Sequence, residues 1–232
     1  MGAWRSTGEG QWVRTYDFRG NPLHSVAMDM GSGGLLVVSP GTGVPDADFD
    51  ELDKFGTVKA LVSPGAFHHL GFPEWVKRYP DAGLYGPGSA IGHVAKQQPT
   101  LKALQGLDAL RPLLSDEFEV GEVAGCKHPD LFLSLRRGGA VSWVTNEILT
   151  NAKDYPGNFL FKLVFQLTGN HPGLLANTLT AMLIGAKKPE VRGYYESKVD
   201  ALPPTRLLPI HGEVLDDPAL GESLKKVLAA RY

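Results

Sequence analysis

Short runs in which apolar residues alternate with polar ones, broken by glycines, mark the first half of the chain. Residues 11–18 (QWVRTYDF) and 23–30 (LHSVAMDM) alternate loosely and read as strands. Gly31, Gly33 and Gly34 then turn the chain into a third strand over 35–39 (LLVVS). The segment VPDADFDELDKFG (44–56) spaces Phe49, Leu52 and Phe55 at helical intervals and stops on Gly56, the signature of a short helix. TVKALVS (57–63) is a buried-strand run, and a turn containing two adjacent histidines follows it. A helix is expected around 73–79, a short strand within AGLYGPG (82–88) and another helix over 89–96. This succession of strand, turn, helix and strand predicts a layered α/β architecture.

Past residue 117 the pattern returns to β. EFEVGEV, DLFLSLRR and AVSWVTNEI predict three strands, the last two joined at Gly138-Gly139. From about 157 the chain becomes strongly apolar: NFLFKLVFQLTG and PGLLANTLTAMLIGAKK flank a GNHPG break. Neither reaches the ~18 uninterrupted apolar residues that a spanning helix needs. They are expected to form a helical hairpin that covers the core, caps a site or pairs two copies as a homodimer. TRLLPIHGEVL (205–215) is a further strand ending at His211-Gly212, and ALGESLKKVLAARY predicts an amphipathic closing helix with a basic last turn. One domain over 1–232, with a helical insertion at about 157–200, is the simplest account.

Composition narrows the function classes. The chain has 232 residues, enough for a substantial core, and a formal net charge of −2. No basic field is available to recruit nucleic acid or anionic membranes, so neither is an expected partner. The lone Cys126 excludes an internal disulfide and, with an N-terminal stretch (MGAWRSTGEGQWVR) lacking an apolar core, leads to the expectation of a cytoplasmic protein. The glycine-rich GSGG (31–34) has no helix after it and reads as a hairpin turn, not a phosphate loop.

Candidate chemistry gathers at the ends of strands, where α/β proteins place ligands. His68 and His69 follow the 57–63 strand, His211 follows the 205–210 strand, and Asn146-Glu147 closes the strand over 141–146. Imidazole nitrogens and a carboxylate oxygen suit a divalent metal. Each group taken alone is equally consistent with a hydrogen-bonding turn residue. Neighbouring residues on an extended strand point to opposite faces, so two adjacent ligands would need a bend at 67–69, which Pro64, Gly65 and Gly71 make feasible.

The order of these pieces resembles the metallo-β-lactamase superfamily. SPGAFHHLG (63–71) stands where that superfamily carries H-x-H-x-D-H, VTNEI (144–148) where its bridging acid lies, PIHGE (209–213) where its last histidine lies, and LLVVSPG (35–41) at the strand that usually ends in an Asp turn. The match runs from about residue 20 to 215 and implies a four-layer αββα sandwich with a helical insertion. The run from Ser39 to Gly88 is also similar to a bacterial family of divergent metallo-β-lactamase-like proteins that carries a His-His motif.

The departures from the superfamily pattern fall together. Pro64, Ala66 and Lys127 occupy the three histidine positions of its first metal site, with His128 one residue away, and Ser39 stands for the usual Asp of the upstream turn. The second site would retain His68 (for Asp), His69, Glu147 and His211. The resemblance therefore implies one divalent metal, zinc first with iron or manganese as alternatives. Glu147 would serve as fourth ligand or general base, and a small-molecule ester, lactone, thioester or amide would be hydrolysed. The rival is a catalytically silent member that keeps the fold as a binding or interaction module. Lys127 is read as a solvated turn residue and Cys126 as a small buried hydrophobe; His24, His93 and His171 have no motif around them.

Overall fold

The computed structural model describes residues 4–31, 33–155 and 159–232. Ser32 of the expected GSGG turn, and 157–158 at the start of the expected insertion, lie outside them. In chain order the elements are β1 (Arg5–Gly8), β2 (Gln11–Phe18), β3 (Asn21–Asp29), β4 (Gly34–Val38), α1 (Asp46–Asp53), β5 (Thr57–Val62), α2 (Phe72–Arg78), β6 (Gly83–Tyr85), α3 (Gly88–Gln97) and α4 (Leu107–Leu110). The second half continues with β7 (Phe118–Glu122), β8 (Leu131–Arg137), β9 (Ala140–Thr145), β10 (Leu149–Ala152), α5 (Phe159–Leu167), β11 (Gly173–Ala176), α6 (Thr178–Leu183), α7 (Lys188–Ala201), β12 (Arg206–Pro209), β13 (Leu215–Asp216) and α8 (Leu220–Arg231).

Two sheets form the centre. One runs β1-β2-β3-β4-β5-β6, antiparallel up to β4 and parallel from β4 to β6; the other runs β13-β12-β9-β8-β7, with β12 parallel to β9. Period-2 side-chain alternation splits each strand between two cores. Val26, Met28, Leu36, Val38 and Val62 meet Leu131, Leu133, Leu135, Val144 and Leu208 between the sheets. Ala27, Leu35, Val37 and Leu61 face outward, under Phe49 and Leu52 of α1, Phe72 and Trp75 of α2 and Ala90 and Val94 of α3. On the far side, Phe132, Trp143 and Leu207 pack beneath Val191, Tyr195 and Val199 of α7 and Leu220, Leu224 and Leu228 of α8. The result is a four-layer αββα sandwich. Burial on both faces explains why LLVV and TVKALV read as nearly continuous apolar runs.

The expected helical hairpin is corrected. Residues 173–176 form a strand, paired antiparallel with β10 from Leu149↔Ala176 to Ala152↔Gly173. The main-chain groups of GLLA find their partners across that ladder, and Asn177 then caps α6 by accepting the N–H groups of Leu179 and Thr180. The expected strand AVSWVTNEI (140–148) ends earlier, at Thr145, and a separate strand, β10, begins at Leu149. α7 lies within the outer layer of the sandwich, although its sequence falls in the stretch expected to be an insertion.

A close backbone approach locks α2 to the turn after β4. The Trp75 indole donates to the Gly41 carbonyl at 2.8 Å, and the Glu74 carboxylate accepts the Gly43 and Val44 N–H groups at 2.8 and 2.7 Å. A Cβ at Gly71 would lie 2.1 Å from the Pro40 carbonyl oxygen, so no other residue fits there. Gly71→Ala is expected to cost about 3 kcal/mol. Gly92→Ala, in the middle of α3 with nothing within 4 Å, should stabilise by about 0.5–1 kcal/mol. Chemical denaturation of the two variants checks both signs.

Candidate metal centre

Four turns meet at one end of the sandwich, each following the C-terminal end of a strand in a parallel pair: β4 with β5, and β9 with β12. Ser39 follows β4, residues 63–71 follow β5, Asn146-Glu147 follow β9, and Ile210-His211 follow β12. Backbone hydrogen bonds stitch these turns across the two sheets. Leu131 N–H donates to Pro64 O at 2.7 Å, and His24 N–H to Ile210 O at 3.0 Å.

The arrangement brings three of the four expected ligands together. The ligating atoms of His68, Glu147 and His211 all lie within 4.8 Å of one another, the sole such group among the described residues. His68 Nε2 stands 3.3 Å from Glu147 Oε1 and 3.1 Å from His211 Nε2, while His211 Nε2 and Glu147 Oε1 are 3.6 Å apart. A neutral imidazole nitrogen carries one hydrogen at most, so Nε2 of His68 cannot donate well to both neighbours. A shared cation can serve all three. Donors on a tetrahedron around zinc, with bonds of 2.0–2.1 Å, stand about 3.3 Å apart, close to the separations found here. The donor set therefore fits one metal ion.

His69 is not in that group. It lines the same pocket, with its ring 5.3 Å from His93, and its buried Nδ1 has no hydrogen-bond partner. Pro64 and Ala66 offer no ligand atom. Lys127 and His128 are exposed and do not line the pocket. Cys126 is half-buried and its thiol is pushed up to about 12 by burial and the Asp130 charge, so it stays protonated.

Supporting residues orient the three. Ser39, buried and held at φ 54°, places its hydroxyl 3.3 Å from His68 Nδ1 and 3.0 Å from the Tyr16 hydroxyl. With Nδ1–H donating to Ser39, the lone pair of His68 is directed through Nε2. Asp130, also buried, accepts the Glu147 N–H at 2.9 Å and the Asn146 amide at 3.2 Å and so shapes the Glu147 turn. The Thr180 hydroxyl donates to the Glu147 carbonyl. Ser39 entered the sequence reading only as a lost aspartate, and Asp130 not at all; an acid wedged between Pro129 and the apolar LFLSL was the available signal for it.

Burial pushes the Glu147 carboxyl up, but the His211 and His68 rings outweigh it and hold the group well below the ordinary carboxylate range. Burial also pushes His68 below the usual histidine value, against the pull of Glu147. The outcome is an ionised acid beside a neutral imidazole, the state in which both ligate metal.

The same architecture is found in solved structures. The fold is that of the metallo-β-lactamases. The chain superposes on DIM-1 metallo-β-lactamase with a TM-score of 0.61 at 14% identity, covering 100% of this chain and 99% of that one. FIM-1 metallo-β-lactamase from Pseudomonas aeruginosa, in its mono-zinc form, gives 0.62 at 11% identity over 98% and 95% of the two chains. A metallo-β-lactamase from Pontibacter korlensis gives 0.59 at 13% identity over 97% and 98%. No family model and no curated protein matches the sequence. The metallo-β-lactamase fold thus stands here on geometry, with sequence identity too low to carry a reaction across. Among the described residues no helix is long and apolar enough to cross a membrane.

The titrating groups fix a pH dependence. Burial lowers the pKa of His24, His68 and His69 below 6.5, so each binds fewer protons folded than unfolded, and stability is lost as pH falls below about 6.5. Glu147 has the same sign: its contribution is present above its unfolded value of 4.5 and is lost as pH falls towards its folded pKa. The metal-free protein should melt at a lower temperature at pH 5 than at pH 7, and His68→Gln should flatten that slope. A melting temperature that is level or rises toward pH 5 would contradict the buried neutral state.

Proposed function

We propose that this chain is a mononuclear metal-dependent hydrolase acting on a carbonyl substrate: an ester, lactone, thioester or amide. The observation that carries the reading is the near-tetrahedral spacing of His68 Nε2, His211 Nε2 and Glu147 Oε1 in the lining of a pocket. Three protein ligands with a position left open is the pattern of catalytic zinc sites, whereas structural sites are closed by four. The two-nitrogen, one-oxygen donor set suits zinc, with iron or manganese as alternatives. When bound, such a metal supplies Lewis acidity, lowering the pKa of a water and polarising the carbonyl.

The residues divide the remaining work. His68 and His211 hold the metal as neutral imidazoles, one from each sheet. Glu147 contributes negative charge to the ligand set and is the single carboxylate lining the pocket among the described residues. Ser39, bonded to Tyr16, keeps the His68 ring in one tautomer. Asp130 keeps Glu147 aimed at the cluster. The positions corresponding to a first metal offer no ligands at Pro64, Ala66 or Lys127, so one ion is the proposed stoichiometry.

Metal analysis after reconstitution should return about one equivalent for the parent chain and less than a tenth for His211→Ala. His69→Ala should keep its metal. Less than a tenth of an equivalent in the parent chain would remove the hydrolase reading and leave a binding module built on the same fold. Ser39→Ala is expected to retain the fold and to weaken metal affinity by about 10–100-fold, measured by chelator competition.

A further inference from the structure

The pocket over the cluster has a composition that bears on the substrate, and the inference drawn from it deepens the hydrolase reading and rests on it. Its cavity, about 190 Å³, is lined at the floor by His68, Glu147 and His211. Around them stand Tyr16, Phe18, Leu23, Leu183 and Ile184, and no lysine or arginine is among the described lining residues. The neighbouring Arg19 is exposed, with its guanidinium 5.3 Å from the Phe18 ring centroid, and does not line the pocket. An anionic group entering the cavity would lose its hydration without meeting a lysine or arginine among the described lining residues.

The rim extends the apolar lining into solvent. Phe67, Leu70 and Leu183 line the pocket yet remain 51%, 46% and 64% exposed, and Met182 beside them is 71% exposed. Large apolar side chains left open around a cleft are a mark of a ligand-contacting surface. The cavity is smaller than the ~300–1,000 Å³ that encloses a drug-sized ligand. It has room for a reacting head group and the carbons next to it; a longer chain must lie over the rim.

We infer that the pocket selects uncharged carboxylic esters bearing an apolar acyl chain, with the ester at the His68–Glu147–His211 floor and the chain across Phe67, Leu70 and Leu183. In the hydrolysis, the water oxygen bonds to the acyl carbon and the acyl–oxygen bond breaks. One water proton is transferred to the leaving alkoxide, and the other departs from the acid product.

Binding separates this inference from the hydrolase reading. Metal-free protein titrated calorimetrically with octan-1-ol should bind it at least tenfold more tightly than octanoate. Each methylene removed from the alcohol should weaken binding about twofold, half the free-energy effect of complete burial. Leu183→Glu and Phe67→Glu, both at exposed positions, should lower octanol affinity at least tenfold with unchanged melting temperature. Octanoate binding as tightly as octanol, or affinity indifferent to chain length, overturns the inference. With metal restored, 4-nitrophenyl octanoate should exceed the mono-4-nitrophenyl ester of suberic acid by at least tenfold in kcat/KM. Equal rates would overturn the selectivity and leave the hydrolase intact. Selective octanol binding without turnover of either ester would support the pocket and sink the hydrolase.

Discussion

His68 Nε2 is 3.3 Å from a carboxylate carried by the other sheet and 3.1 Å from an imidazole carried by the same other sheet. Burying an ionised glutamate is costly unless its charge is compensated and its neighbours are fixed. The surrounding structure supplies those conditions. Asp130 and Thr180 hold the Glu147 backbone, Ser39 and Tyr16 hold the His68 ring, and the 24–210 hydrogen bond holds the His211 turn. The strand ends are aimed by register: β4 beside β5 in one sheet and β9 beside β12 in the other, all finishing at one edge of the sandwich.

Much of this was legible in the chain because its periods are clean. The alternation in QWVRTYDF, the run LLVV and the helical spacing of Phe49, Leu52 and Phe55 reflect burial on defined faces, and β2, β4 and α1 form where those patterns lie. The stretch after 157 is apolar without a single period, and there tertiary pairing decided the outcome. GLLA became β11 because β10 offers it a complete ladder, which no local pattern records. The polar Asn177 at its end was the local clue that a helix starts afterwards, at Thr178.

The site was legible in part, and for a similar reason. Strand-end position is readable from sequence, so His68, Glu147 and His211 could be picked out. Direction at a turn is not. His68 and His69 are adjacent, and the chain bends so that the first reaches the cluster while the second turns its ring toward His93. The supporting shell was hidden more deeply, because Ser39, Tyr16 and Asp130 act through contacts between residues distant in sequence, and nothing in their own neighbourhoods marks them as partners. The 11–14% identity to solved metallo-β-lactamases has a matching explanation: what the fold needs is the alternation of faces, which many different apolar residues satisfy.

The spread of the three cluster residues along the chain has a kinetic side. His68 is separated from Glu147 by 79 positions and from His211 by 143. Closing loops of that size is entropically expensive and late, so no half of the chain can assemble the cluster by itself. His68 follows a strand of one sheet, and Glu147 and His211 follow strands of the other, so the cluster needs both sheets in place. Residues 68, 147 and 211 therefore stand together only where the two sheets are docked, and the cluster reports on the completed sandwich.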